Sequence, residues 1–131
     1  MTTADSNMEL LQAAAEARLR AHAEYSHFKV GAALLTEDGI IVRGCNVENS
    51  SFGLTLCAER VAITSAVTEG HLAFQSLAVV TDRQVAPCGA CRQVMAEFCE
   101  EEFPIFVASA DNLGEFKQLS LGELLPERFR L

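Results

Sequence analysis

Three cysteines and one glutamate carry the chemistry this sequence is equipped for. Cys88-Gly-Ala-Cys91 follows Pro87, and its cysteines stand at i and i+3. That spacing brings two sulfurs to one face of a helix and within reach of one ion. Cys57-Ala58-Glu59 supplies a third thiol. Glu59 is two positions beyond Cys57, so the two do not share a helical face. This suits a carboxylate that stands beside a metal without ligating it. Helix N-termini favour thiolates through their unpaired N–H groups and dipole. Three thiolates around zinc leave the fourth tetrahedral position for water, whose pKa zinc brings towards ~7 in catalytic sites. Read alone, each motif has a second meaning: Cys-x-x-Cys also serves redox chemistry or a pair of structural thiols, and Cys-x-Glu is common.

Such a cluster needs two helices that start from the same edge of a sheet. Residues 8–22 place Leu10, Leu11, Ala14, Ala15 and Leu19 at helical spacing, with Asp5 or Ser6 as the N-cap. Residues 28–36 and 40–48 read as the strands of a hairpin that turns at Glu37-Asp38-Gly39. Residues 57–69 read as a helix stopped by Gly70, and residues 75–81 as a strand. Pro87 falls in the first turn of a helix that runs to about Cys99. Residues 104–109 and 115–119 are strands, and residues 120–125 form a short helix ended by Pro126. The order α-β-β-α-β-α-β-β-α predicts a three-layer α/β fold, a mixed five-stranded sheet covered by helices. Residues 110–114 are too few for a parallel crossover, so the last two strands are expected to be antiparallel. With no repeat and no linker, residues 1–131 read as one domain.

Ten basic against eighteen acidic residues leave a net charge of −8. A polynucleotide partner requires a basic stripe to neutralise phosphates, and none is present in the sequence. A small uncharged substrate is compatible with such a surface. The polar N-terminus shows no secretory pattern and the apolar runs are too short to span a bilayer, so a cytoplasmic protein without membrane contact is expected. The five cysteines then read as thiols or metal ligands rather than disulfides. Counting its glycines, the chain is roughly 55% apolar, above the ~45–50% of ordinary domains, which suggests surface reserved for subunit contacts.

Taken together, Cys-x-Glu and Pro-Cys-x-x-Cys, each opening a helix after a strand, form the zinc deaminase arrangement, with Cys where others carry His. Arg60 beside Glu59 is expected to hydrogen-bond a ligating sulfur and offset the thiolate charge. The chain resembles the short, homotetrameric cytidine deaminases of pyrimidine salvage. The resemblance rests on Tyr25-Ser-His-Phe-Lys-Val-Gly-Ala-Ala33, Gly44-Cys-Asn-Val-Glu-Asn49, Cys57-Ala-Glu-Arg60 and Pro87-Cys-Gly-Ala-Cys-Arg-Gln93. It implies a cytidine deaminase-like fold, a Zn2+ cofactor on Cys57, Cys88 and Cys91, and deamination of cytidine and deoxycytidine with release of ammonia. It assigns Glu59 the proton transfers, and Phe28, Asn46, Glu48 and Ala58 contacts with the nucleoside. As i and i+2 of a strand, Asn46 and Glu48 are expected to face one way. Ser50, Phe52 and Phe129 match residues that reach a neighbouring subunit's site in the homotetramer. Phe52 departs from the family, where many relatives carry Tyr, and this bears on sugar preference.

Three other readings compete. A structural zinc module needs a fourth protein ligand, for which Cys45, Cys99 or a His is available. A polynucleotide-editing deaminase conflicts with the charge and with the final hairpin. A deaminase for a nucleoside antibiotic such as blasticidin S shares both metal motifs, but Asn46 with Glu48 favours cytidine. His22, His27 and His71 fall outside the ligand pattern, and Cys45 and Cys99 read as small buried hydrophobes.

Overall fold

The computed structural model describes residues 3–131, with side chains from residue 5 onward. Helix α1 (Thr3–Arg18) is followed by strands β1 (Gly31–Thr36) and β2 (Ile41–Cys45), helix α2 (Ala58–Thr68) and strand β3 (Phe74–Thr81). Helix α3 (Gly89–Phe98), strands β4 (Pro104–Ser109) and β5 (Asn112–Ser120) and helix α4 (Leu121–Leu124) complete the chain. The sheet runs β2-β1-β3-β4-β5. Only β3 and β4 are parallel; the β4–β5 pair is antiparallel, as its short connection requires.

Alternation along the strands creates the three layers. Ala32, Leu34, Leu77, Val79, Ile105 and Val107 point to the face covered by α2, α3 and α4. Ala33, Ala78, Val80, Phe106 and Ala108 point to the other face, where Leu10, Leu11, Ala13 and Ala14 of α1 meet them. Both faces of the central strands are buried, which explains their nearly continuous apolar sequence. Gly44 on β2 brings α2 close: a Cβ there would stand 2.4 Å from the Ala58 carbonyl oxygen and 2.6 Å from the Ala62 nitrogen. Gly70, at φ +95°, ends the chain's path from α2 as a left-handed residue just past the C-cap Glu69.

The structure corrects several boundaries. Helix α1 begins before Asp5 and Ser6, so neither caps it; Asp5 lies in its first turn, where a negative charge suits the dipole. The helix ends at Arg18, which leaves Leu19 70% exposed rather than on the apolar face. Strand β2 stops at Cys45, so Asn46 and Glu48 lie beyond it, held instead by isolated bridges from Val47 to His22 and Leu56. Pro87 precedes the N-cap Cys88 rather than lying inside α3. Strand β5 starts at Asn112, three residues before its expected start. Cys99 is buried, whereas Cys45 is only half-buried.

Candidate metal centre and active site

Cys57 is the N-cap of α2 and Cys88 the N-cap of α3, both in extended backbone; Cys91 lies in the first turn of α3. The two helices leave the sheet side by side, and their starts bring three sulfurs within 4.8 Å of one another. Cys57 Sγ is 3.9 Å from Cys88 Sγ, and Cys88 Sγ is 3.5 Å from Cys91 Sγ. Zinc–sulfur bonds of about 2.3 Å in a tetrahedron put sulfurs roughly 3.8 Å apart, so these residues fit the ion. Among the described residues no fourth side chain joins the group; Cys45, Cys99 and the histidines lie outside it. A three-ligand site keeps a position for water, which separates it from a closed structural site.

Two charged neighbours complete the centre. Arg60 Nη2 donates to Cys57 Sγ at 3.2 Å, which places a cation against the thiolate cluster. The Cys57 thiol is drawn down to about 5, first by the neighbouring Cys91 thiol and then by Arg60, against the opposing effect of burial. Cys91 moves the other way, raised by its interaction with Cys57 and by burial. Glu59 is 5% exposed. Burial pushes its carboxyl up to about 7, with the charge of Cys57 acting in the same direction; its backbone hydrogen bond and Arg60 oppose this. A carboxyl poised near neutrality can accept and return a proton within one reaction cycle.

The cluster opens into a cavity of about 210 Å³. Phe28, Asn46, Ala58 and Glu59 line it together with Cys57 and Cys88. Asn46 braces the wall: its Oδ1 accepts from the Val30 N–H at 2.9 Å, and its Nδ2 donates to the Phe28 carbonyl at 2.8 Å. Each amide atom keeps capacity for one more hydrogen bond. Glu48 lines a neighbouring groove with Tyr25, Ser26, Phe52 and Thr55, and Thr55 belongs to both spaces. Its carboxylate accepts from the Tyr25 and Ser26 N–H groups and from the Ser26 hydroxyl. Phe52 is 72% exposed and meets Tyr25 edge to face at 5.6 Å. Ser50 is exposed nearby in sequence, and Phe129 is exposed in the C-terminal segment, its carbonyl accepting from Gln93 Nε2 at 2.9 Å.

Sequence reasoning passed over Val30, Thr55, Val79, Thr81 and Val85, which also line the cavity. Small apolar and hydroxyl residues carry no sequence signal of a site. It also passed over Arg83, whose guanidinium sits 5.3 Å from the centre of the Phe28 ring.

Residues 4–107 match the family model described as the cytidine and deoxycytidylate deaminase zinc-binding region. The chain is 46% identical over 123 residues to the cytidine deaminase of Sporosarcina psychrophila, covering 92% of this chain and 89% of that protein. It is 47% identical over 122 residues to the cytidine deaminase of Halalkalibacterium halodurans, covering 92% and 91%. The crystal structure of cytidine deaminase from Burkholderia pseudomallei superposes with a TM-score of 0.88 at 45% identity, covering 98% of this chain and all (100%) of that one. Sequence and fold agree over nearly the whole length, and the chain therefore belongs to the cytidine and deoxycytidylate deaminase family.

Proposed function

We infer that this chain is a zinc-dependent cytidine deaminase that hydrolyses cytidine and deoxycytidine to uridine and deoxyuridine and releases ammonia. One observation carries the reading: a buried carboxyl, Glu59, shares a small cavity with Cys57 and Cys88, which with the buried Cys91 behind them are spaced for a catalytic rather than a closed zinc site. Zinc, when bound, supplies Lewis-acid activation of the attacking water. Glu59 takes one proton of the attacking water and delivers it to ring nitrogen N3 as the water oxygen bonds to C4; it then moves the remaining proton from the new C4 hydroxyl to the amino group, and the C4–N bond breaks to release ammonia and leave the C4 carbonyl. The free N–H at the start of α2, at Ala58, is a donor for the pyrimidine carbonyl. Phe28 packs against the base and sugar. Asn46 and Glu48 retain the hydrogen-bonding capacity to meet the sugar hydroxyls.

We further propose that residues 1–131 act as one catalytic domain within a cytoplasmic homotetramer whose sites lie at subunit interfaces. Exposed apolar side chains near the cavity, among them Tyr25, Val47, Phe52, Leu54 and Leu56, support this reading, with Ser50, Phe52 and Phe129 as cross-subunit contacts. A reducing compartment suits five free cysteines.

The test follows ultraviolet absorbance with cytidine, deoxycytidine, cytosine and N4-substituted cytidines. Turnover of both nucleosides and none of free cytosine is expected. Glu59→Gln should fold, hold zinc and lose at least about a thousandfold in kcat, since general acid–base work contributes 10²–10⁴ per step. Retained turnover in that variant would overturn the mechanism.

A further inference from the structure

The Pro87–Cys88 peptide is held by a residue outside the metal motif proper. Arg92 Nε donates to the Pro87 carbonyl at 2.7 Å, and its Nη1 donates to the Leu124 carbonyl at 2.7 Å. Both bonds are partly buried, and both are charge-assisted. One guanidinium thus grips the peptide that presents Cys88 and the last residue of α4, 32 positions further on. Helix α4 is itself fixed. Ser120 and Glu123 form a capping box, the Leu121 N–H donates to the Phe103 carbonyl at 3.0 Å, and the Gly122 N–H donates to the Glu101 carbonyl at 3.0 Å.

Cys88 needs such an anchor. It is the exposed member of the cysteine cluster, and as an N-cap it has extended backbone at φ −70° and ψ 169°. Its carbonyl takes the first helical bond, from the Arg92 N–H at 3.0 Å, but the carbonyl before it lies outside the helix ladder. Arg92 satisfies that carbonyl.

We propose that Arg92 is a positioning residue that ties the Cys88 ligand to the C-terminal helix and sets how long the site retains its metal. The proposal rests on the reading of Cys57, Cys88 and Cys91 as zinc ligands. It extends the metal centre to a helix that supplies none of the three cysteines.

The experiment measures zinc release from the loaded protein into an excess of a chromogenic chelator, beside the thermal midpoints of the zinc-free proteins. Arg92→Ala should release zinc about tenfold faster or more, since losing outer partners of metal ligands costs about 10–100-fold in metal affinity. Arg92→Lys keeps a donor for one carbonyl and should fall between. Arg130→Ala should release zinc as the wild type does, because Arg130, in the same C-terminal segment, holds the Glu97 carbonyl and Glu100 and not the Pro87–Cys88 peptide. A wild-type release rate in Arg92→Ala overturns the proposal. So does equal acceleration in Arg130→Ala, or acceleration no larger than the drop in zinc-free stability accounts for. If Arg92→Ala does not fold, Arg92→Lys decides: faster release supports the proposal and a wild-type rate overturns it. A wild-type protein that binds no zinc would sink the underlying metal reading; stoichiometric zinc with unchanged release sinks this proposal alone.

Discussion

Glu48 accepts hydrogen bonds from Tyr25 and Ser26, and these bonds fix the segment leading into Phe28. The Ser26 hydroxyl, followed by the Ser26 N–H, holds the Glu48 carboxyl below its ordinary value of 4.5. A depressed folded-state pKa means the interaction contributes fully above the unfolded value and is lost as pH falls through the folded one. Tyr25 is the only tyrosine in a chain without tryptophan, so its fluorescence reports on this segment alone. Acidification below 4.5 should change that emission in a step preceding global unfolding. In Glu48→Gln the acid step should be absent. An identical titration in both proteins would show that Glu48 does not hold Tyr25. At this same scale Phe52 packs on the Tyr25 ring without a hydroxyl of its own. Phe52→Tyr should alter the cytidine-to-deoxycytidine ratio of kcat/KM by a few-fold, as one added hydrogen bond of about 1 kcal/mol does; equal ratios would remove Phe52 from sugar discrimination.

Strand β2 and helix α2 meet where Gly44 has no side chain. A methyl group there must push α2 away from the sheet, and the N-cap of α2 is Cys57. Gly44→Ala should therefore cost about 1–3 kcal/mol, the usual penalty of overpacking, read as a lower denaturant midpoint at unchanged slope. Gly53→Ala, with open space around its Cβ position, is the matched control and should stay within about 0.5 kcal/mol of wild type. Elements were the most legible part of the sequence, because period and turn chemistry act locally. The i,i+3 cysteines, Gly70 and the short β4–β5 connection each specify their geometry within a few residues. Asn46 and Glu48 were harder to place. Their alternation with Val47 continues the pattern of β2, but the β1–β2 ladder ends at Cys45, Val47 pairs instead with His22 and Leu56, and Asn46 turns its amide to the Phe28–Val30 backbone. Arg92 was illegible for a related reason: both its acceptors are main-chain carbonyls, which every residue carries.

At the scale of the whole molecule, the exposed apolar side chains around the cavity predict association. Sedimentation at micromolar concentration should give four chains per particle, and activity should fall on dilution if neighbouring subunits complete each site. A monomer with full activity would remove Ser50, Phe52 and Phe129 from the site. The spacing of the sulfurs has a further consequence. Cys57 and Cys88 are 31 residues apart in sequence, with β3 between them, and they come together only in the folded chain. An ion shared by them binds the native state more tightly than the unfolded one, which keeps only the local Cys88–Cys91 pair, so metal loading and folding are linked equilibria. Each tenfold rise in free zinc above the dissociation constant adds about 1.4 kcal/mol, and a thousandfold excess about 4 kcal/mol. The melting temperature should climb with the logarithm of free zinc, making ion supply a thermodynamic control on the lifetime of the fold as well as on catalysis.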